Sequence, residues 1–220
     1  MIIINFKVYS ELIGTRGETI AAIAATQARL AKKKVIVCPS QLDLTGYAAH
    51  IKQDEHFGFF AQHVDANAAG KFTGSVPAAQ AKACGARGTL LNHAERKLSP
   101  TVLAAAVAAC KAAGLETLVC ADSLEEVKRV LELKPWAVAY EPPELIGSGV
   151  SVSTTKPEVL AGAVALAEAA GVPMFAGAGV SDANDVRIAR KLGAKGVVLA
   201  SAFVKSKAPG EFLASLLKEF

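Results

Sequence analysis

The sequence predicts an α/β fold: a closed (β/α)8 barrel, with parallel strands inside and helices outside. Three observations carry that expectation. Apolar runs alternate with helix-like stretches from one end of the chain to the other. The runs are continuously apolar and do not alternate with polar residues, as befits strands covered on both faces. Eight such units fit into 220 residues with no Ser/Gly/Pro-rich linker between them. A barrel of eight βα units needs roughly 200–250 residues, whereas a doubly wound open sheet commonly has about five or six strands. Residues 1–220 are therefore expected to form one barrel domain.

The expected strands are Ile2–Phe6, Val35–Cys38, Phe57–Ala61, Thr89–Leu91, Leu115–Cys120, Ala137–Tyr140, Pro173–Ala176 and Val197–Ala200. Helices are expected between them. Thr19–Lys33 places Ile20, Ile23, Ala24, Ala28 and Leu30 roughly on one face. Ser99-Pro100 supplies a cap and a first-turn proline for Thr101–Ala113. Ser123-Leu124-Glu125-Glu126 is a capping box for a helix ending near Leu133. Pro157–Ala170, Asp182–Leu192 and Pro209–Glu219 follow. Gly85, Gly114, Gly171 and Gly193 each stand one to four residues before a strand, where a left-handed helix cap turns the chain back at once.

Composition narrows the function. The chain is 52% hydrophobic and 20% charged, which excludes a disordered or coiled-coil protein. No apolar run approaches the ~20 residues needed to span a bilayer, and the N-terminus reads as a strand, not as a signal peptide. Cys38, Cys84, Cys110 and Cys120 lie far apart without a C-x-x-C pair, as core residues of a reducing cytoplasm do, and are not expected to form a zinc site. A net charge of +4 favours a small anion over a cation and is too mild to imply nucleic acid.

In a barrel the chemistry sits where strands end and βα loops begin. Those positions carry Asn5-Phe6-Lys7, Gln62-His63-Val64-Asp65, Asn92-His93-Ala94-Glu95-Arg96-Lys97, Tyr140-Glu141-Pro142-Pro143, Gly177-Ala178-Gly179-Val180 and Ala200-Ser201. A lysine, a histidine and a glutamate thus face one mouth. Loops after the last two strands often bind phosphate, because small residues let the backbone approach an anion. Each feature alone is commonplace; their coincidence at one end of one barrel is the signal. It points to a phosphorylated substrate without naming the reaction.

Asn5-Phe6-Lys7, Asn92-His93-Ala94-Glu95-Arg96, Tyr140-Glu141-Pro142 and Gly147-Ser148-Gly149 together resemble the triosephosphate isomerase family, in its short archaeal form. Ala61-Gln62-His63-Val64-Asp65 followed by Gly70-Lys71-Phe72-Thr73-Gly74 resembles the family's third loop. The resemblance implies a TIM barrel that interconverts glyceraldehyde 3-phosphate and dihydroxyacetone phosphate through an enediolate, in glycolysis or gluconeogenesis. That chemistry needs no metal or cofactor. These roles are the family's own. They would make Glu141 the base, His93 a neutral electrophile and proton shuttle, Lys7 the cation stabilising the enediolate and Glu95 its carboxylate partner. Asn5 would line the site. Pro142–Val150 would be the lid, with Ile146 shielding Glu141 and Gly147 giving a backbone N–H to the phosphate. Gly177, Ala178, Gly179, Ala200 and Ser201 would complete the phosphate site. A short helix after His93 would keep its ring neutral. Thr73 would reach a neighbouring subunit beside Asn5 and His93, making the protein a homodimer or homotetramer, with no nucleic-acid or membrane partner. The chain departs from the family pattern at Ala94, where serine is usual, at Lys97, where a second arginine is usual, at Ser75 and at Val150-Ser151-Val152. Two rivals are another phosphate-binding barrel, a synthase or epimerase, and a non-catalytic barrel.

Overall fold

The computed structural model describes residues 1–145 and 151–220. Among them, eight parallel strands close into a barrel in chain order, β8 pairing back onto β1. They are β1 (Ile2–Asn5), β2 (Val35–Cys38), β3 (Phe57–Ala61), β4 (Gly88–Leu91), β5 (Glu116–Ala121), β6 (Ala137–Tyr140), β7 (Met174–Ala176) and β8 (Gly196–Leu199). Each lies within a residue of its expected bounds.

The helices α1 (Thr15–Ala31), α2 (Leu44–His50), α3 (Ala78–Ala83), α4 (Pro100–Ala112), α5 (Leu124–Glu132), α6 (Val152–Thr155), α7 (Pro157–Ala169), α8 (Ala183–Lys191), α9 (Ser201–Val204) and α10 (Pro209–Leu217) fill the crossovers. Ser99 Oγ accepts the Val102 N–H and Ser123 Oγ that of Glu126, so both caps form as the sequence implies. The glycine caps form too. Gly85, Gly114, Gly171 and Gly193 have φ between 65° and 97°.

α1 corrects one expectation. It begins at Thr15, four residues earlier, and buries Gly17, Ala21, Ala24, Ala25 and Ala28, while Leu30 is 73% exposed. The small-residue face lets the helix approach the barrel closely, and large apolar residues were the wrong guide to the buried stripe. α2 and α3 were not expected as helices; at seven and six residues they are too short to show a periodic pattern.

The barrel interior is packed. Ile3, Ile36, Phe60, Leu90, Leu118, Phe175 and Val198 form the inner cluster together with small Ala137 and Ala139, the latter paired beside Phe175. A Cβ on Gly88 would lie 2.5 Å from the Phe60 ring, so this glycine makes room for that ring. Trp136 lies against both Phe60 and Phe175, at ring-centroid distances of 5.6 and 5.9 Å. The polar site therefore lies at one end of the barrel, over a filled lumen.

Candidate active site

A cavity of about 300 Å³ opens at the C-terminal ends of the strands. Asn5 and Lys7 reach it from β1, His93 from β4 and Glu141 from β6. Gly177 and Gly179 follow β7 on its wall, and Ala200 and Ser201 follow β8.

Lys7 is held in a left-handed conformation, φ 47°, which a lysine rarely adopts unaided. Two side chains pin it: Asn5 Oδ1 accepts its N–H at 3.0 Å, and Gln62 Nε2 donates to its carbonyl at 2.7 Å. Its ammonium meets Glu95 Oε1 at 2.5 Å. Asn92, directly before the histidine, is also left-handed, φ 59°, and buried. Its amide donates to the Cys120 carbonyl at 2.9 Å and to Glu126 Oε1 at 3.0 Å, and its Oδ1 accepts the Leu98 N–H at 3.0 Å. The turn that aims His93 is thus tied to β5 and α5.

His93 caps its own 3₁₀ turn, Ala94–Arg96: the Glu95 N–H donates to Nδ1 at 3.1 Å. A ring that accepts at Nδ1 carries its proton on Nε2, which faces the cavity. Burial and the neighbouring Lys7 charge push the imidazole pKa down, which keeps it neutral.

Glu141 is 2% exposed. Desolvation raises its pKa from an ordinary 4.5 to about 7, against opposing contributions from the Cys120 thiol hydrogen bond and the charge of Lys7. Its Oε2 has no hydrogen-bond partner among the described residues and lies 3.8 Å from His93 Nε2. Gly177 makes its place: a Cβ there would fall 2.4 Å from Glu141 Cγ. A buried carboxylate of raised basicity thus faces a neutral N–H donor across an open cavity. That pair can move a proton between carbon and base while a donor meets the oxygen that gains charge.

Residues 1–218 match the family model described as triosephosphate isomerase. The triosephosphate isomerase of Methanocaldococcus jannaschii is 40% identical over 220 residues, 99% of each chain. That of Metallosphaera sedula is 40% identical over 214 residues, 97% of this chain and 92% of the relative. The crystal structure of triosephosphate isomerase from Bartonella henselae shares the fold, with a TM-score of 0.75 at 20% identity, covering 99% of this chain and 97% of that one. The chain belongs to the triosephosphate isomerase family.

Ala94 offers no hydroxyl where the family pattern has serine, and among the described residues Glu141 Oε2 has no hydrogen-bond partner. Lys97 keeps the cation of the usual arginine, at 2.8 Å from Asp122 and 2.6 Å from Glu126. Ala178 is buried and off the cavity wall; its carbonyl accepts the Val152 N–H at 3.1 Å. Thr73 is exposed on a loop whose neck is closed by Asp65, which accepts the Val76 N–H at 2.7 Å. Ile146, Gly147 and the rest of residues 146–150 lie outside the described residues. Tyr9, Val180, Ser181 and Lys205 also line the cavity. Strand-end reading passed over Tyr9 and Lys205 because they stand a few residues beyond the strand tips.

Proposed function

We propose that in this triosephosphate isomerase Glu141 is the base and His93 the electrophile, with Lys7 stabilising the charge that develops between them. Glu141 takes the proton from C1 of dihydroxyacetone phosphate. The C–H electrons form the enediolate double bond, and the carbonyl π pair moves onto O2. There the His93 Nε2–H and the Lys7 ammonium meet the charge. His93 passes a proton between the two oxygens, and protonated Glu141 returns its proton to C2, giving glyceraldehyde 3-phosphate. The carrying observation is the buried Glu141 carboxylate facing the neutral His93 ring. Removal from water raises the basicity of the carboxylate, which a weakly acidic C–H requires. Backbone N–H groups of Gly179, Ala200 and Ser201 would hold the phosphate, the Gly177 N–H being engaged by the Tyr140 carbonyl.

The test is isomerisation of glyceraldehyde 3-phosphate in a coupled assay without added metal, with wild type, His93→Ala and Glu141→Asp. Wild type is expected to turn over rapidly. Shortening the base by one methylene is expected to lower kcat by about 100-fold with a much smaller change in KM, since roughly an ångström of misplacement costs that much. Undiminished kcat in Glu141→Asp would overturn the assignment.

The same reading extends to assembly, with Thr73 of one copy seated beside Asn5 and His93 of another. Its support is a patch of exposed apolar residues around the first loop: Val8 is 82%, Ile13 74% and Leu42 96% exposed. Residues 1–220 are read as one barrel domain, since the strands that close it run from Ile2 to Leu199. A cytoplasmic location is supported by the four cysteines, all free thiols. No helix among the described residues is long and apolar enough to cross a membrane.

A further inference from the structure

The charged residues on the cavity wall, among the described residues, are Lys7, Glu141 and Lys205, with His93 held neutral. Lys7 is already paired, with Glu95 at 2.5 Å. Glu141 is buried and repels an anion once ionised. Lys205 differs from both. Among the described residues no carboxylate oxygen stands within ion-pair distance, 4.0 Å, of its ammonium. Glu11 feels its charge, but Glu11 Oε2 accepts the Ser10 hydroxyl at 3.1 Å.

Two contacts place Lys205. Its N–H donates to the Ser201 carbonyl at 2.9 Å, one turn after the loop that follows β8. Its Nζ lies 5.3 Å from the centroid of the Tyr9 ring, which comes from the loop after β1 and also lines the cavity. A ring within about 6 Å attracts an ammonium and restricts where a long side chain points. The Tyr9 face therefore holds the Lys205 charge between the β1 and β8 loops, on the same cavity wall as Ser201.

We propose that Lys205, seated on Tyr9, is a binding residue for the substrate's phosphate dianion, and that it sets affinity and encounter rate without touching the reacting carbons. The proposal rests on the phosphate site being at the β7 and β8 loops, as read above. Those loops offer neutral N–H groups, so the unpaired Lys205 supplies the positive charge at that end of the cavity. Because Lys205 is largely exposed and screened by water and salt, its effect is modest in size and strongly salt-dependent.

The experiment measures kcat and KM for glyceraldehyde 3-phosphate, and inhibition by inorganic phosphate, in wild type, Lys205→Met, Lys205→Arg and Tyr9→Ala. Lys205→Met is expected to raise KM and the phosphate inhibition constant together, by about three- to tenfold, with kcat unchanged. It should also flatten the fall of kcat/KM with ionic strength. Lys205→Arg is expected to restore both constants, and Tyr9→Ala to reproduce part of the loss. Wild-type KM and inhibition constant in Lys205→Met would overturn the proposal, as would a loss confined to kcat. An active wild type that inorganic phosphate does not inhibit would instead overturn the underlying phosphate-site reading.

Discussion

Glu141 carries the largest conflict between stability and chemistry. Its carboxylate is buried, and Oε2 is without a hydrogen-bond partner among the described residues, an arrangement that costs folding free energy whenever the group is ionised. With the folded pKa raised from 4.5 to about 7, the folded state holds a proton that the unfolded state has lost at pH values between those limits. Stability contributed by the neutral acid is thus complete below about pH 4.5 and lost as pH rises through 7, a total of about 3 kcal/mol. Glu141→Gln removes the titration. It is expected to be inactive and yet more stable than wild type above pH 7, by up to about that amount, the difference vanishing near pH 4.5. Thermal melts of the two proteins across pH 4–9 test this, and equal melting temperatures at pH 8 would refute it. In wild type, kcat/KM is expected to rise with pH through about 7, because the free enzyme needs the ionised base. Asn5, Lys7, His93 and Glu141 were legible because each stands at, or within two residues of, a strand end, whereas Glu95 lies four residues past β4 in the 3₁₀ turn. The left-handed Asn92 was not, since its conformation is set by contacts with Cys120 and Glu126 that are distant in sequence.

At the scale of elements, β6 and β7 build the Glu141 pocket between them. The Gly177 N–H donates to the Tyr140 carbonyl at 3.0 Å, and the missing side chain leaves room for Glu141. In Gly177→Ala the new methyl would strike atoms of a movable side chain, with Glu141 Cγ at 2.4 Å and Oε1 at 2.8 Å, so the carboxylate shifts and the backbone does not. The variant is expected to fold with a melting temperature near that of wild type and to lose at least tenfold in kcat. A fully active Gly177→Ala would show that the carboxylate works from another position. Element boundaries were legible wherever local chemistry marks them, as at Ser99-Pro100, Ser123 and the glycine caps. They were not legible in α2 and α3, which are held by packing and carry little pattern of their own. The buried face of α1 was misjudged because alanine's advantage there is its size, which depends on the distance to the barrel.

For the whole molecule, the barrel leaves an apolar surface that no single chain covers. Val8, Ile13 and Leu42 are almost fully exposed around a recess of about 280 Å³ beside Phe6 and Leu12, and Phe72 is half exposed on the loop carrying Thr73. Exposed large apolar residues grouped in this way mark an interaction surface, and a loop with an apolar residue at its tip is a fitting occupant from a second copy. Lys7 and His93 stand on the loops that such a contact would brace, so assembly and catalysis are expected to fail together. Leu42→Glu would place a charge in the proposed interface, where an unpaired buried charge is costly. It is expected to weaken self-association by more than tenfold, and its activity per subunit should fall on dilution over the range in which sedimentation velocity shows dissociation. Leu42 is on the second loop, outside the cavity, so a loss of activity would come through assembly. A wild-type protein that sediments as a monomer at micromolar concentration with full activity would overturn both the interface and its coupling to the site.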